Sequence, residues 1–273
     1  MLQFISFGSG SCGNCYCLSD GNSSILVDAG VSPRRLKRYF RDYGINQSTI
    51  RALIITHDHA DHIKAAGKIS SELKIPVYAT ELVHEGITRN FHVRNKIESE
   101  YVQTIEKDKT FEIGLFKITP FEIPHDSMQN VGYSIEHEGE IFTIMTDVGA
   151  PTDNVKHYIS ISNHIVIEAN YDVEMLVNGK YPLHLKQRIM SGTGHLSNRQ
   201  TAEALAENFH AGLQNVWLCH LSEENNHPEL ARKTIEQYLR SYGIIADADF
   251  TLEVLRRKIP TGPFNISNKE NSL

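Results

Sequence analysis

The segment Thr56-His57-Asp58-His59-Ala60-Asp61-His62 carries four candidate metal ligands within six residues. His57 and His59 are two apart and can converge on one ion from an extended loop. Asp61 and His62 are adjacent, and at the start of a helix they can turn toward a second ion. Histidine nitrogen and carboxylate oxygen are the donors a borderline-hard divalent metal takes. The local context suits a site: a β-branched run, Arg51–Thr56, precedes the segment. An amphipathic pattern of Ile63, Ala66, Ile69 or Ser70, and Leu73 follows it as one expected helix. Other chemistry-bearing residues sit at the ends of apolar runs. Asp28 lies in Val27-Asp28-Ala29-Gly30, Asp147 in Thr146-Asp147-Val148-Gly149, Glu168 ends Val166-Ile167-Glu168, and His220 follows Leu218-Cys219. His125 follows Pro124. His195 stands just before Ser197 and Gln200, which form a capping box for a helix with Ala202, Leu205 and Phe209 inward.

The elements that must position these groups alternate. Gln3–Phe7, Ser24–Asp28, Phe111–Ile123, Val131–Glu136, Glu140–Thr146, His164–Glu168 and Asn215–Cys219 read as strands. Ser32-Pro33 opens a helix with the serine as cap, Leu36, Tyr39, Phe40 and Tyr43 as its apolar stripe, and Gly44 as its stop. Pro228–Tyr242 reads as a final amphipathic helix. Strands in two groups, each with helices attached, fit an α/β four-layer αββα sandwich: two sheets face to face with helices outside. Periodicity alone does not separate this from a doubly wound sheet; the motifs decide it.

The chain has 273 residues, 40% hydrophobic and 22% charged, enough for a sizeable core without disulfides. Residues 1–255 are expected to form one hydrolase domain. Residues 256–273 turn polar and are expected to be a surface-bound or disordered tail. A formal charge of −6 argues against a protein that coats nucleic acid indiscriminately but leaves room for a local basic groove. Cys12, Cys15 and Cys17 contain a C-x-x-C spacing, yet no second pair completes a tetrahedral site, so they read as small apolar residues at a turn and on a strand. The N-terminus lacks a basic region followed by a long apolar stretch, and no apolar run is long enough to span a bilayer. The expectation is a cytoplasmic protein with reduced thiols and no membrane association.

The H-x-H-x-D-H pattern resembles the signature of metallo-β-lactamase-fold hydrolases, and the motifs above follow in that superfamily's order. The resemblance implies two divalent ions, zinc or manganese, with iron a further candidate. His57, His59 and His125 would hold the first ion, Asp61, His62 and His220 the second, and Asp147 would be shared. Asp28 would orient the metal loop, and Asp61 is also placed with the catalytic groups. Two ions ~3.5–4 Å apart lower the pKa of water towards ~7 and stabilise developing charge, chemistry that serves lactams, thioesters and phosphodiesters alike. Glu168 and His195 resemble extra motifs of the phosphodiesterase and nuclease branches. There the carboxylate orients a histidine that binds the scissile phosphate or protonates the leaving oxygen.

The loop Gly8-Ser9-Gly10-Ser11-Cys12-Gly13-Asn14 resembles the S-G-S-x-G-N loop of the YycJ (WalJ) family. The likeness continues through Glu168–Leu176, Gly179–Pro182, Leu185–Ile189 and His220–Asn226, covering roughly residues 1–255. Cys12 stands where threonine is usual, Asp58 where glutamate is common and Tyr171 where histidine is common. The family's association with manganese-supported 5′-to-3′ exonuclease action on double-stranded DNA implies that partner and activity here. Ser11, Asn14, Lys186 and Arg188 are then expected to contact substrate. Arg34, Arg35, Lys37, Arg38 and Arg41 crowd one helix, ordinarily a solvated face. The interval from Asp147 to His220 has no room for an inserted domain, so core loops or a second subunit of a homo-oligomer must hold substrate. The alternative is a small-molecule phosphodiesterase or thioesterase on the same metals. A di-iron redox domain of this fold would carry glutamate in place of His59.

Overall fold

A computed structural model describes residues 1–266. The described residues divide into two compact units, 1–117, 127–129 and 256–266 in the first, and 118–126 and 130–255 in the second. The first contains β1 (Leu2–Gly8), β2 (Cys15–Ser19), β3 (Ser24–Val27), α1 (Pro33–Asp42), β4 (Ile50–Ile54), α2 (Ala60–Ile63) and α3 (Ala66–Leu73). It continues with β5 (Val77–Ala79), α4 (Glu81–Arg89), β6 (Val102–Thr104) and β7 (Phe111–Ile113). The second contains β8 (Phe116–Glu122) from Ile118 onward, β9 (Val131–His137), β10 (Glu140–Met145), α5 (Asp153–Ile161), β11 (His164–Glu168), α6 (Val173–Asn178) and α7 (Leu183–Ile189). Then come α8 (Asn198–Glu207), β12 (Asn215–Cys219), α9 (Pro228–Ser241) and β13 (Thr251–Val254); β14 (Thr261–Ile266) returns to the first unit.

The first sheet runs β14-β1-β2-β3-β4-β5-β6, antiparallel through β3 and parallel from β3 to β6. Ile5, Phe7, Cys15, Cys17, Leu26, Leu53 and Val77 pack one face of it against Leu36, Tyr39 and Phe40 of α1, Ile69 of α3, and Val83 and Ile87 of α4. In the second unit the order is β13-β12-β11-β10-β9-β8, with β10 to β13 parallel. Ile165, Ile167, Val216 and Leu218 pack there against Val155 and Ile159 of α5, Ala202 and Leu205 of α8, and Ile235 and Leu239 of α9. Each such side chain, fully removed from water, contributes roughly 1.5–3 kcal/mol. Among the described residues no helix is long and apolar enough to cross a membrane.

Four local expectations change. The single helix expected after the histidine segment is two, because the Ala65 amide leaves the helical ladder to donate to the Ala29 carbonyl. The strand expected over Phe111–Ile123 breaks at Gly114, whose φ of 61° is left-handed. Ser32 occupies the cap position of α1, but its side chain makes no cap bond. Within residues 256–273, β14 pairs antiparallel with β1, Leu2 opposite Ile266 and Phe4 opposite Phe264; the remainder of that expected tail, 267–273, lies outside the described residues.

Candidate metal centre

In the first unit the candidate ligands follow the C-terminal end of β4, the edge at which α/β sheets collect their functional loops. His57 and His62 have ring centres 4.1 Å apart, and His57 and His59 4.7 Å. Asp28, at the end of β3, is fully buried and ties the segment down. Its Oδ1 accepts from the Thr56 amide at 2.9 Å, and its Oδ2 contacts His62 Nδ1 at 2.7 Å. A carboxylate on Nδ1 makes that nitrogen the protonated one and leaves Nε2 with the lone pair a metal requires. Asp28 has φ 62°, an uncommon conformation for a non-glycine residue, held by these bonds.

The Ser9–Asn14 loop closes on the same segment. Asn14 donates its backbone amide to the Asp61 carbonyl at 2.8 Å, and its Nδ2 lies 3.2 Å from Asp61 Oδ2 and 2.8 Å from His62 Nε2. Its Oδ1 accepts from the Gly10 amide, which fixes the orientation of the carboxamide. Asn14, expected on substrate, is thus placed against two candidate ligands; Ser11 is exposed at the loop tip. Gly30 permits the close approach: a Cβ there would lie 1.6 Å from the Asp61 carbonyl oxygen. Gly30→Ala is expected to destabilise the protein by at least about 1–3 kcal/mol, because a backbone atom cannot swing aside as a side chain can. Denaturant unfolding checks this; an unchanged midpoint would mean the Asp61 segment yields freely. Cys15 and Cys17 are buried on β2, and burial pushes both thiols up, Cys17 to about 12, which suits apolar packing and not thiolate ligation.

In the second unit Asp147 follows β10, Glu168 ends β11 and His220 follows β12, all at C-terminal strand ends. Asp147 and His220 both have φ 53°, again left-handed. Ligand atoms of Asp147, Glu168, His195 and His220 all lie within 4.8 Å of one another, an arrangement that could hold a metal ion. His125 Nδ1 is 2.9 Å from the Gly194 carbonyl, to which it donates, and its Nε2 is 3.7 Å from Asp147 Oδ1. His220 Nδ1 lies 3.4 Å from the same Asp147 oxygen.

Glu168 organises this half. It is fully buried, and its Oε1 contacts His195 Nδ1 at 2.8 Å and His220 Nδ1 at 3.0 Å. Its Oε2 accepts from the Val148 and Leu196 amides at 2.9 and 3.0 Å. Burial pushes its carboxyl up, but the His195 charge and the hydrogen bonds outweigh burial and hold it below its ordinary value. For His195, burial pushes the ring down, while Glu168 and Asp147 carry it above its ordinary value. Sequence reasoning pairs Glu168 with His195 and misses its bond to His220. It also misses Asn170, whose Nδ2 donates to the His220 carbonyl at 2.8 Å, although Asn170 stands two residues beyond Glu168. Lys186 and Arg188 lie on α7. Lys186 Nζ donates to the Val177 carbonyl at 2.7 Å, and Arg188 pairs with Asp126, the neighbour of His125.

Known proteins resemble this chain over most of its length. Residues 23–220 match the model of the Beta-lactamase superfamily domain. The chain is 32% identical over 262 residues to Exodeoxyribonuclease YycJ of Bacillus anthracis, covering 95% of this chain and 97% of that one. It belongs to the YycJ/WalJ family of the metallo-β-lactamase superfamily. Exodeoxyribonuclease WalJ of Streptococcus pneumoniae is 32% identical over 249 residues, 91% of this chain and 92% of that one. The metallo-β-lactamase-fold protein YhfI of Bacillus subtilis superposes with a TM-score of 0.71 at 15% identity over 95% and 98% of the two chains. A diphosphatase of the PhnP family superposes with a TM-score of 0.65 at 15% identity over 97% and 99%. Those two likenesses show the fold. The chain is a metal-dependent hydrolase of that fold, and its His/Asp clusters suit divalent cations.

Proposed function

We propose that this protein is a dinuclear-metal exodeoxyribonuclease that degrades double-stranded DNA from the 5′ end, in the cytoplasm. His57, His59 and His125 would hold one ion, Asp61, His62 and His220 the other, with Asp147 available to both. The observation that carries the reading is His195: beyond this seven-residue set, it is held on the buried Glu168 carboxylate in a chain that matches two exodeoxyribonucleases over nearly its whole length. The donor chemistry fits cations, since the Nδ1 atoms of His62, His125 and His220 each meet a protein oxygen, orienting the opposite nitrogen as ligand. Zinc or manganese, once bound, would supply charge neutralisation on a phosphoryl oxygen and a more acidic water. The chain's own residues do the rest. Asp28 and Asn14 fix the His62–Asp61 pair, Glu168 fixes His195, and His195 presents Nε2, a proton donor for a leaving oxygen.

The test combines metal analysis of untagged protein with digestion of end-labelled duplex DNA, duplex RNA and a small aryl phosphodiester under zinc and under manganese. Release of nucleotides from the labelled 5′ ends of DNA under manganese is the expected result. Turnover of small phosphodiesters or thioesters alone would replace this reading with a small-molecule hydrolase. Lys186→Ala and Arg188→Ala are each expected to weaken duplex binding. Each should also reduce the slope of log affinity on log salt by about 0.9 for every phosphate no longer neutralised. Wild-type affinity in both variants, at low and at high salt alike, would remove α7 from the substrate surface.

A further inference from the structure

The first unit carries a concentration of positive charge at odds with the formal charge of −6. Arg34, Arg35, Lys37, Arg38 and Arg41 line one open recess on α1, and the helix has a single carboxylate, Asp42. Asp42 serves both Arg38 and Arg41, and Lys37 shares Glu72 with Lys68. Such a helix stabilises itself poorly. Arg34 and Arg38, and Lys37 and Arg41, are like charges one turn apart, and Arg34 and Arg35 sit at the helix's positive end with no acidic residue in the first turn. A polyanion laid along the helix would relieve that repulsion.

The cations continue toward the candidate ligands. Arg35 donates to the Lys258 carbonyl and to Tyr39 Oη at 2.8 Å, and the guanidinium groups of Arg35 and Arg38 lie 5.7 and 5.2 Å from the centre of the Tyr39 ring. Both are therefore ordered in advance, which lowers the entropic cost of engaging a phosphate. Next to Lys258, the Arg257 carbonyl accepts from the Ser9 amide at 3.2 Å, and the Arg257 side chain runs along Gly10. Lys64, at the end of α2, donates to the Cys12 carbonyl of the same loop at 2.7 Å. That loop is bonded to Asp61 and His62 through Asn14.

We propose that α1, residues 257–258 and Lys64 form a phosphate-tracking surface that carries the backbone of duplex DNA away from the His57–His62 segment. The proposal rests on the nuclease reading and adds where the uncleaved part of the substrate lies. A ten-residue helix is ~15 Å long, about four phosphate spacings of one strand. The tracking is sequence-independent, because charge contacts to the phosphate backbone carry no base information.

The experiment combines Arg34→Glu, Arg38→Glu and Arg41→Glu, with the three Gln substitutions as a milder second variant, thermal unfolding verifying the fold of each. Affinity for a long, hydrolysis-resistant DNA duplex is measured across a salt series, and turnover is measured on a small aryl phosphodiester. The Glu variant is expected to bind the duplex at least about tenfold more weakly with a reduced salt slope, the Gln variant to lie between, and small-substrate turnover to stay at wild type. Wild-type affinity and salt slope in both variants would overturn the track while leaving the nuclease reading intact. Wild-type protein that binds duplex through these residues but cleaves no DNA would overturn the nuclease reading and leave the track standing.

Discussion

Alanine in place of His59 is expected to remove at least one equivalent of bound metal and reduce hydrolysis to background. His59 caps α2 through its backbone carbonyl alone and its side chain makes no cap bond, so the loss falls on the site and not on the helix. Its removal leaves the Phe7–Tyr39–Phe40 cluster and the packing of α3 untouched, so the unfolding midpoint should change little. Metal content by elemental analysis, unfolding in the metal-free state and turnover on end-labelled duplex together make the test. Wild-type activity with full metal content would exclude His59 from the ligand set.

Replacing His195 with alanine is expected to cut kcat by about 10²–10⁴, the usual worth of a positioned proton donor, with metal content near wild type. The Glu168 carboxylate holds the His195 imidazolium to higher pH than an ordinary histidine. A raised histidine pKa means that the protonated form prevails below it and is lost as pH rises through it. The activity that depends on His195 should therefore persist beyond pH ~6.5 and decline above that raised value, a limb absent from the alanine variant. Loss of an ion in His195→Ala would make this residue a ligand. Glu168→Gln separates the two roles of that carboxylate. Because Glu168 also contacts His220 Nδ1 and accepts two backbone amides, this variant should lower metal affinity by about 10–100-fold, an effect His195→Ala lacks. Equal metal affinity in the two variants would confine Glu168 to orienting His195.

Local chemistry and periodicity account for what could be read in advance. Asn215–Cys219 is a strand with the expected bounds, Ser197 and Gln200 form the expected capping box on α8, and α1 buries Leu36, Tyr39 and Phe40 as its stripe predicts. These depend on neighbours a few residues away, so they are written in the chain. The short elements β5, β6, α6 and α7 escape such reading, since three to seven residues carry too little periodicity and tertiary contacts hold them.

By itself, then, the sequence determined the donor types, their order and their positions at strand ends, because side-chain chemistry and strand or helix period are local. The tertiary structure alone decided who orients whom. Closure of the β10-β11-β12 sheet sets His195 and His220 on one oxygen of Glu168, 27 and 52 positions along the chain. Packing turns Asn14 onto Asp61 and His62, and draws the Ala65 amide out of its helix onto Ala29. The left-handed backbones of Asp28, Asp147 and His220 are conformations their own sequence disfavours. They exist because long-range hydrogen bonds and buried strands outweigh a local strain of about 1–3 kcal/mol each.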